Sequence, residues 1–137
     1  MIALKSQREI DGMQAAGDIL AGLFHELATY IKPGMTTWAI DHFSYPYIID
    51  HDATTGELNF EGYKYSTCVS VNDMVCHGCP SKDILMHDGE LMKVDTVIDY
   101  HGYLGDACHA LVADTASPAV QKLMDVTLKA LYLGIDQ

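Results

Sequence analysis

Residues 89–113, GELMKVDTVIDYHGYLGDACHALVA, constrain the fold more than any other stretch of the chain. They read as two long strands joined around Tyr100, His101 and Gly102, a connection short enough to require an antiparallel hairpin. Val94 and Thr96 flank Asp95, and Ala107 and Cys108 follow Asp106, so both aspartates belong within strands rather than in turns. An even-length loop centred between Tyr100 and His101 places Asp95 opposite Asp106 on one face. Directly opposed side chains have Cβ atoms roughly 4.5–5.5 Å apart, and like charges there destabilise the sheet. Such a pair needs a compensating cation or a raised pKa. Carboxylates this close can bridge two divalent ions about 3.5–4 Å apart. The competing reading is a register one residue away, with one carboxylate turned to solvent. Asp99 and Asp114 lie nearer to turns and read as solvated.

The rest of the chain supplies helices to cover that sheet. Ser6 and Glu9 form a Ser-x-x-Glu capping box, and Ile10, Met13, Gly17, Leu20, Phe24, Leu27 and Ile31 recur at helical spacing along one stripe. This predicts a helix to about Tyr30, ended by Pro33 and Gly34, with its stripe in the core. Thr36 or Thr37 caps a second helix, TWAIDHFSYPYIID, in which Pro46 predicts a kink or an end near Tyr45. A loop through HDATTGELNFEG leads to YKYSTCVSV, whose alternation predicts a half-buried strand. Ser117 and Pro118 open a third helix. Helix, helix, strands, helix describes one α+β domain over residues 1–137, an antiparallel sheet covered by helices.

A formal charge of -11 argues against nucleic acid as a partner. No window reaches the ~18 consecutive apolar residues of a membrane span. The opening residues lack a basic stretch followed by an apolar run, so export is not expected and a cytoplasmic location is. In that reducing setting Cys68, Cys76, Cys79 and Cys108 are expected as free thiols.

The segment VSVNDMVCHGCPS poses a choice, because Cys76 and Cys79 bracket His77. A zinc site takes four ligands and there is no second pair. A redox Cys-x-x-Cys belongs at a helix start after a strand, whereas CHGCPS falls between turns. Neither cysteine-centred site fits, and a lone histidine reads as structural unless a larger pattern gives it a role.

His77 and Gly78 in a His-Gly-x-Pro turn, Asp95 eighteen residues later and Asp106 eleven beyond that form a specific combination. With FEGYKYSTCVSVNDMVCHGCP, DGELMKVDTVIDYHGYLGDACHALV, KALYLGI and the opening helix with IKPGM, the chain resembles the methionine aminopeptidases of the bacterial type across essentially its whole length. The resemblance implies a pita-bread fold, of which this chain would be the amino-terminal half. It implies that Asp95 and Asp106 bind two divalent ions (cobalt, manganese, iron or zinc), with Asp106 bridging. His77 would contact substrate and assist the reaction; Phe60, Tyr63 and Cys68 would line the pocket for the methionine side chain. Asn72 and Met74 would lie where the family places a monovalent cation. The family takes one further histidine and two glutamates from a second half related by a pseudo-twofold, so the ligand set here would be incomplete.

The sequence departs from the family at Ala107, usually a hydroxyl residue, at Asp52 and Asp114, commonly glycine, and at Pro46. The function implied is removal of the initiator methionine from nascent proteins and peptides, by a monomer. Two alternatives remain open: a non-catalytic pita-bread module that holds a peptide or partner, and two copies pairing to imitate the complete fold.

Overall fold

The computed structural model describes residues 3–137. Helix α1 spans Gln7–Tyr30, α2 Thr37–Asp50 and α3 Pro118–Ile135, and the strands are β1 Thr54–Thr55, β2 Cys68–Val71, β3 Leu91–Tyr100 and β4 Tyr103–Val112. A single 3-10 turn, Phe60–Gly62, interrupts the loop between β1 and β2. The predicted α+β arrangement is present.

Strand β3 is the axis of the sheet. Its whole length pairs antiparallel with β4 on one side, while β2 and β1 share its other edge end to end, β2 against Met92–Asp95 and β1 against Ile98–Asp99. Met92, Val94, Thr96 and Ile98 are all fully buried. Their neighbours Lys93, Asp95, Val97 and Asp99 face the other way and are only half-buried. Period-two alternation thus divides β3 into a face in the core, packed with Leu20, Leu23 and Leu27 of α1 and Ile40 and Ile48 of α2, and an open face. Gly105 allows α1 its close approach to β4, since a Cβ there would stand 3.0 Å from the Ala16 backbone.

The hairpin register differs from the expected one. The loop is the two residues His101 and Gly102, both at positive φ (53° and 86°), and Tyr100 pairs with Tyr103. A loop of this kind matches the twist of the strands it joins, and the Asp99 carboxylate caps it by accepting the Gly102 N–H at 2.7 Å. The turn therefore sits one residue later than predicted. Asp95 pairs with Cys108, and Asp106 with Val97. The two aspartates are diagonal neighbours rather than opposed, yet they keep a common face.

Several local expectations also need correction. The α1 capping box forms, with Ser6 N–H donating to Glu9 Oε2 at 2.7 Å. Ile10 and Met13 at the start of its stripe nevertheless remain 49% and 43% exposed. Helix α2 continues through Pro46 to Asp50. Pro46 lies on its exposed side, while Ile40, Ser44 and Ile48 lock the opposite side into the core, so packing outweighs the lost hydrogen bond. Strand β2 starts only at Cys68, because Ser66 and Thr67 spend their N–H groups on the Asp41 carboxylate. The pair β1 falls where a loop was expected. Asp52 and Asp114 do adopt left-handed backbone (φ 58° and 68°), as glycine-favouring positions would require.

Helix α3 begins as predicted, with Ser117 Oγ accepting the Val120 N–H and Pro118 in its first turn. None of its residues is buried. Leu123, Val126, Leu128 and Leu131 stay more than half exposed. No helix among the described residues is long and apolar enough to cross a membrane.

Candidate metal and peptide site

On the open face of the sheet lies a cavity of about 640 Å³, lined among others by Phe60, Tyr63, Cys68, His77, Asp95 and Asp106. All six residues singled out from the sequence thus converge on one space, although they come from five separate segments. The register explains the centre of the group. Cys68, Asp95 and Cys108 form one row across β2, β3 and β4, and Asp106 and Val97 form the next. With Asp95 and Asp106 diagonal, their Cα atoms stand roughly 7–8 Å apart.

His77 reaches the cavity from a tightly held loop. Its backbone is left-handed (φ 55°), and its neighbour Gly78 is tied to β2 twice: the Gly78 carbonyl accepts the Val69 N–H at 2.8 Å and the Gly78 N–H donates to Ser70 Oγ at 3.0 Å. A side chain on Gly78 would collide with the Val69 carbonyl, so glycine is required for this approach. The flanking cysteines are exposed free thiols. Asn72 and Met74 lie outside the cavity; Asn72 instead bonds Glu90 and the Leu91 N–H at the head of β3.

A network of hydroxyls and one carboxylate fixes the floor of the cavity. Asp41 Oδ1, from α2, accepts hydrogen bonds from the N–H and hydroxyl of both Ser66 and Thr67 at 2.7–3.1 Å. The Ser66 carbonyl accepts from Thr96 Oγ1 at 2.8 Å, and the Thr67 carbonyl from the Tyr63 hydroxyl at 2.9 Å. Tyr63 and Cys68 are thereby set side by side. Burial and the adjoining Cys68 thiol push the Tyr63 hydroxyl far above its usual range, and burial pushes the Cys68 thiol up. Both stay protonated at neutral pH.

The electrostatics of the cavity are dominated by carboxylates. Burial and then the neighbouring Asp106 raise the Asp95 carboxyl, while His77 pulls it down. Sequence reasoning missed two members of the group, Glu57 and Glu61. Glu57, in the turn after β1, also lines the cavity, and its Oε2 is buried without a hydrogen-bond partner. Burial, followed by Asp95, Asp106 and Asp41, pushes its carboxyl up to about 8. No local pattern in HDATTGELNFEG marks Glu57, because only the pairing of Thr54 and Thr55 with β3 carries it to the site.

A sheet with helices on one face, and carboxylates gathered in a cavity on the other, offers oxygen donors of the kind that hold divalent ions. Residues 11–137 match the model of metallopeptidase family M24, and the chain belongs to that family. It is 35% identical over 98% of its length to methionine aminopeptidase A of Synechocystis and 33% identical over 99% to the methionine aminopeptidase of Aquifex aeolicus. It covers 53% and 55% of those proteins, so it spans about half the length of the curated relatives it matches. A solved methionine aminopeptidase from Streptococci superposes with a TM-score of 0.93 at 33% identity, covering all of this chain and 60% of that one. The fold is accordingly that of about half of a pita-bread domain.

Membership of this family implies use of divalent metal. Asp95 and Asp106 fit part of that demand, being hard oxygen donors on one face whose mutual repulsion a cation would relieve. No group of three or more His, Cys, Asp or Glu suited to a metal ion occurs among the described residues.

Proposed function

We propose that this chain carries the substrate cavity and two of the metal ligands of a metalloaminopeptidase that removes the first methionine from nascent proteins and peptides in the cytoplasm. The convergence of Asp95, Asp106, His77, Tyr63 and Cys68 on one cavity is the observation that carries this reading. Residues 1–137 would correspond to the amino-terminal half of a monomeric catalytic domain, which agrees with coverage of about half of the relatives. Asp95 and Asp106 would hold two divalent ions, cobalt, manganese, iron or zinc. When bound, the ions supply Lewis-acid polarisation of the scissile carbonyl and a water of lowered pKa. Phe60, Tyr63 and Cys68 would enclose the methionine side chain, and His77 would orient the scissile peptide through a hydrogen bond. A carboxylate serving as general acid/base would come from the part of the relatives that this chain does not span.

Release of methionine from Met-Ala-Ser, with added cobalt or manganese, tests the reading. Failure of turnover, both by the chain alone and when mixed with a polypeptide matching the rest of a relative, refutes it. A second reading is a non-catalytic peptide-binding module. In that case Asp95→Asn leaves peptide affinity unchanged and metal has no effect on it.

A further inference from the structure

Cys79 has no task in the proposed chemistry, yet the fold gives it a close thiol neighbour, and that neighbour is not Cys76. Beyond β2 the chain turns back: the Val69 N–H donates to the Gly78 carbonyl at 2.8 Å, the Gly78 N–H donates to Ser70 Oγ at 3.0 Å, and a Cβ on Gly78 would run into the Val69 carbonyl. Gly78 therefore lies opposite Val69 on a segment antiparallel to β2, which sets Cys79 opposite Cys68. Both cysteines line the cavity, so their side chains share its face, and a charge on Cys79 is felt at Cys68. Residues opposed in this way have Cα atoms roughly 4.5–5.5 Å apart, inside the roughly 4.4–6.8 Å that a disulfide spans. Cys108 lies beyond that span, two strand spacings or roughly 9–10 Å from Cys68 with Asp95 between them. Cys76 is exposed and does not line the cavity.

We propose that Cys68 and Cys79 form a reversible disulfide when a small-molecule disulfide oxidises them, and that this bridge shuts the cavity to peptide. The second part rests on the reading that the cavity receives the first side chain of a peptide. Cys79 is exposed and Cys68 buried, which orders the two steps. The Cys79 sulfur attacks one sulfur of the small disulfide, whose S–S bond breaks; one half stays on Cys79 and the other leaves as a thiol, taking up the Cys79 proton. Cys68 then loses its proton and attacks the Cys79 sulfur, expelling the second half as a thiol. Two protein thiols are oxidised and one small disulfide is reduced to two thiols. A disulfide holds its Cβ atoms roughly 3.5–4.5 Å apart, closer than an opposed strand pair at roughly 4.5–5.5 Å. The bridge therefore draws the segment from His77 to Cys79 onto β2 and turns the Cys68 sulfur away from the Tyr63 hydroxyl beside it, altering two walls of the cavity at once.

The test treats the reduced full chain with oxidised glutathione, blocks the remaining thiols with iodoacetamide and maps the peptides by mass spectrometry. The expected product is a peptide pair joined through Cys68 and Cys79 and lighter by two hydrogens, with Cys108 alkylated and dithiothreitol reversing the bridge. Cys76→Ser still forms it. In Cys68→Ser the reaction stalls with glutathione on Cys79. Calorimetric titration of Met-Ala-Ser with manganese present then gives an affinity lower by roughly tenfold or more in the oxidised chain and restored by dithiothreitol, whereas oxidant leaves the affinity of Cys79→Ser where it was. A bridge between Cys76 and Cys79, or glutathione adducts with no bridge, overturns the inference at its first step. Equal affinity of the reduced and bridged chains overturns the shutting of the cavity while the peptide site stands. Absence of peptide binding by the reduced chain overturns the reading beneath, and the shutting with it, while the mass map still decides the bridge.

Discussion

The carboxylate that matters most for the shape of the cavity is one that does not line it. Asp41 Oδ1 accepts four hydrogen bonds, from Ser66 N–H (2.8 Å), Ser66 Oγ (2.7 Å), Thr67 N–H (3.0 Å) and Thr67 Oγ1 (3.1 Å). Ser66 is 1% exposed and Thr67 fully buried, so water cannot replace the lost acceptor. In Asp41→Ala the two hydroxyls can rotate towards other oxygens, but the two backbone N–H groups cannot. Each unsatisfied buried group costs about 1–3 kcal/mol, which sums to about 4 kcal/mol for the pair. Against the roughly 5–15 kcal/mol that holds a domain folded, this is a severe loss.

Urea unfolding followed by circular dichroism measures it. With a slope of about 2 kcal/mol/M, the midpoint falls by about 2 M in Asp41→Ala. Asp41→Asn retains an acceptor oxygen in the same place and gives up only the charge assistance, about 1 kcal/mol or about 0.5 M. A midpoint for Asp41→Ala within about 0.3 M of wild type refutes the argument that this oxygen fixes the start of β2. Equal losses in the Ala and Asn variants also refute it, since the reasoning assigns most of the effect to acceptor geometry.

Three further outcomes follow from the same geometry. Glu57 has a folded pKa of about 8 against an ordinary 4.5, so its contribution to stability is complete below pH 4.5 and is lost as pH rises to 8. Discounted for the partial exposure of the Glu57 residue and the solvent screening that goes with it, wild type loses about 2 kcal/mol relative to Glu57→Gln over that window, measured as the difference between their urea midpoints at pH 4.5 and 8. In Gly78→Ala the new methyl meets the Val69 carbonyl and stands 2.7 Å from Met74 Sδ; about 2 kcal/mol of stability is lost in urea unfolding, and His77 moves away, seen as a shifted ring resonance. Asp95→Asn removes a charged oxygen donor and weakens manganese binding at least about tenfold by calorimetric titration, with the fold intact by circular dichroism.

What the sequence made legible was local. The Ser6–Glu9 box, the Ser117–Pro118 start and the hairpin each depend on residues within a few positions of one another, and all three are present. The turn lies one residue from its expected centre because the strand residues Tyr100 and Tyr103 do not by themselves fix it. The left-handed pair His101–Gly102 does, through the φ > 0 that such a turn demands. Pro46 does not end α2, since its local penalty is outweighed by the burial of Ile40 and Ile48. Glu57 and Asp41 were illegible for a different reason. No residue near either in sequence marks it, and only the meeting of α2, β1 and β2 on the edge of β3 brings each to its surroundings.

Asp95 and Asp106 share a face whichever of the two positions the turn takes, and the reason lies in the core rather than in the site. Moving a two-residue loop by one position shifts each pairing by two, and side chains alternate with a period of two, so no residue changes face. A slip of one residue would change all of them. It would carry Met92, Val94 and Ile98, now fully buried, to the open face and press Lys93 and Asp95 against α1 and α2. Each exposed apolar side chain forfeits roughly 1.5–3 kcal/mol, about 6 kcal/mol for the three before the cost of burying charge is added. That is comparable with the entire stability of a small domain. The two carboxylates are therefore held towards one cavity, despite their repulsion, by the hydrophobic residues on the reverse of the same strands, and a cation that settled between them would have no refolding to drive.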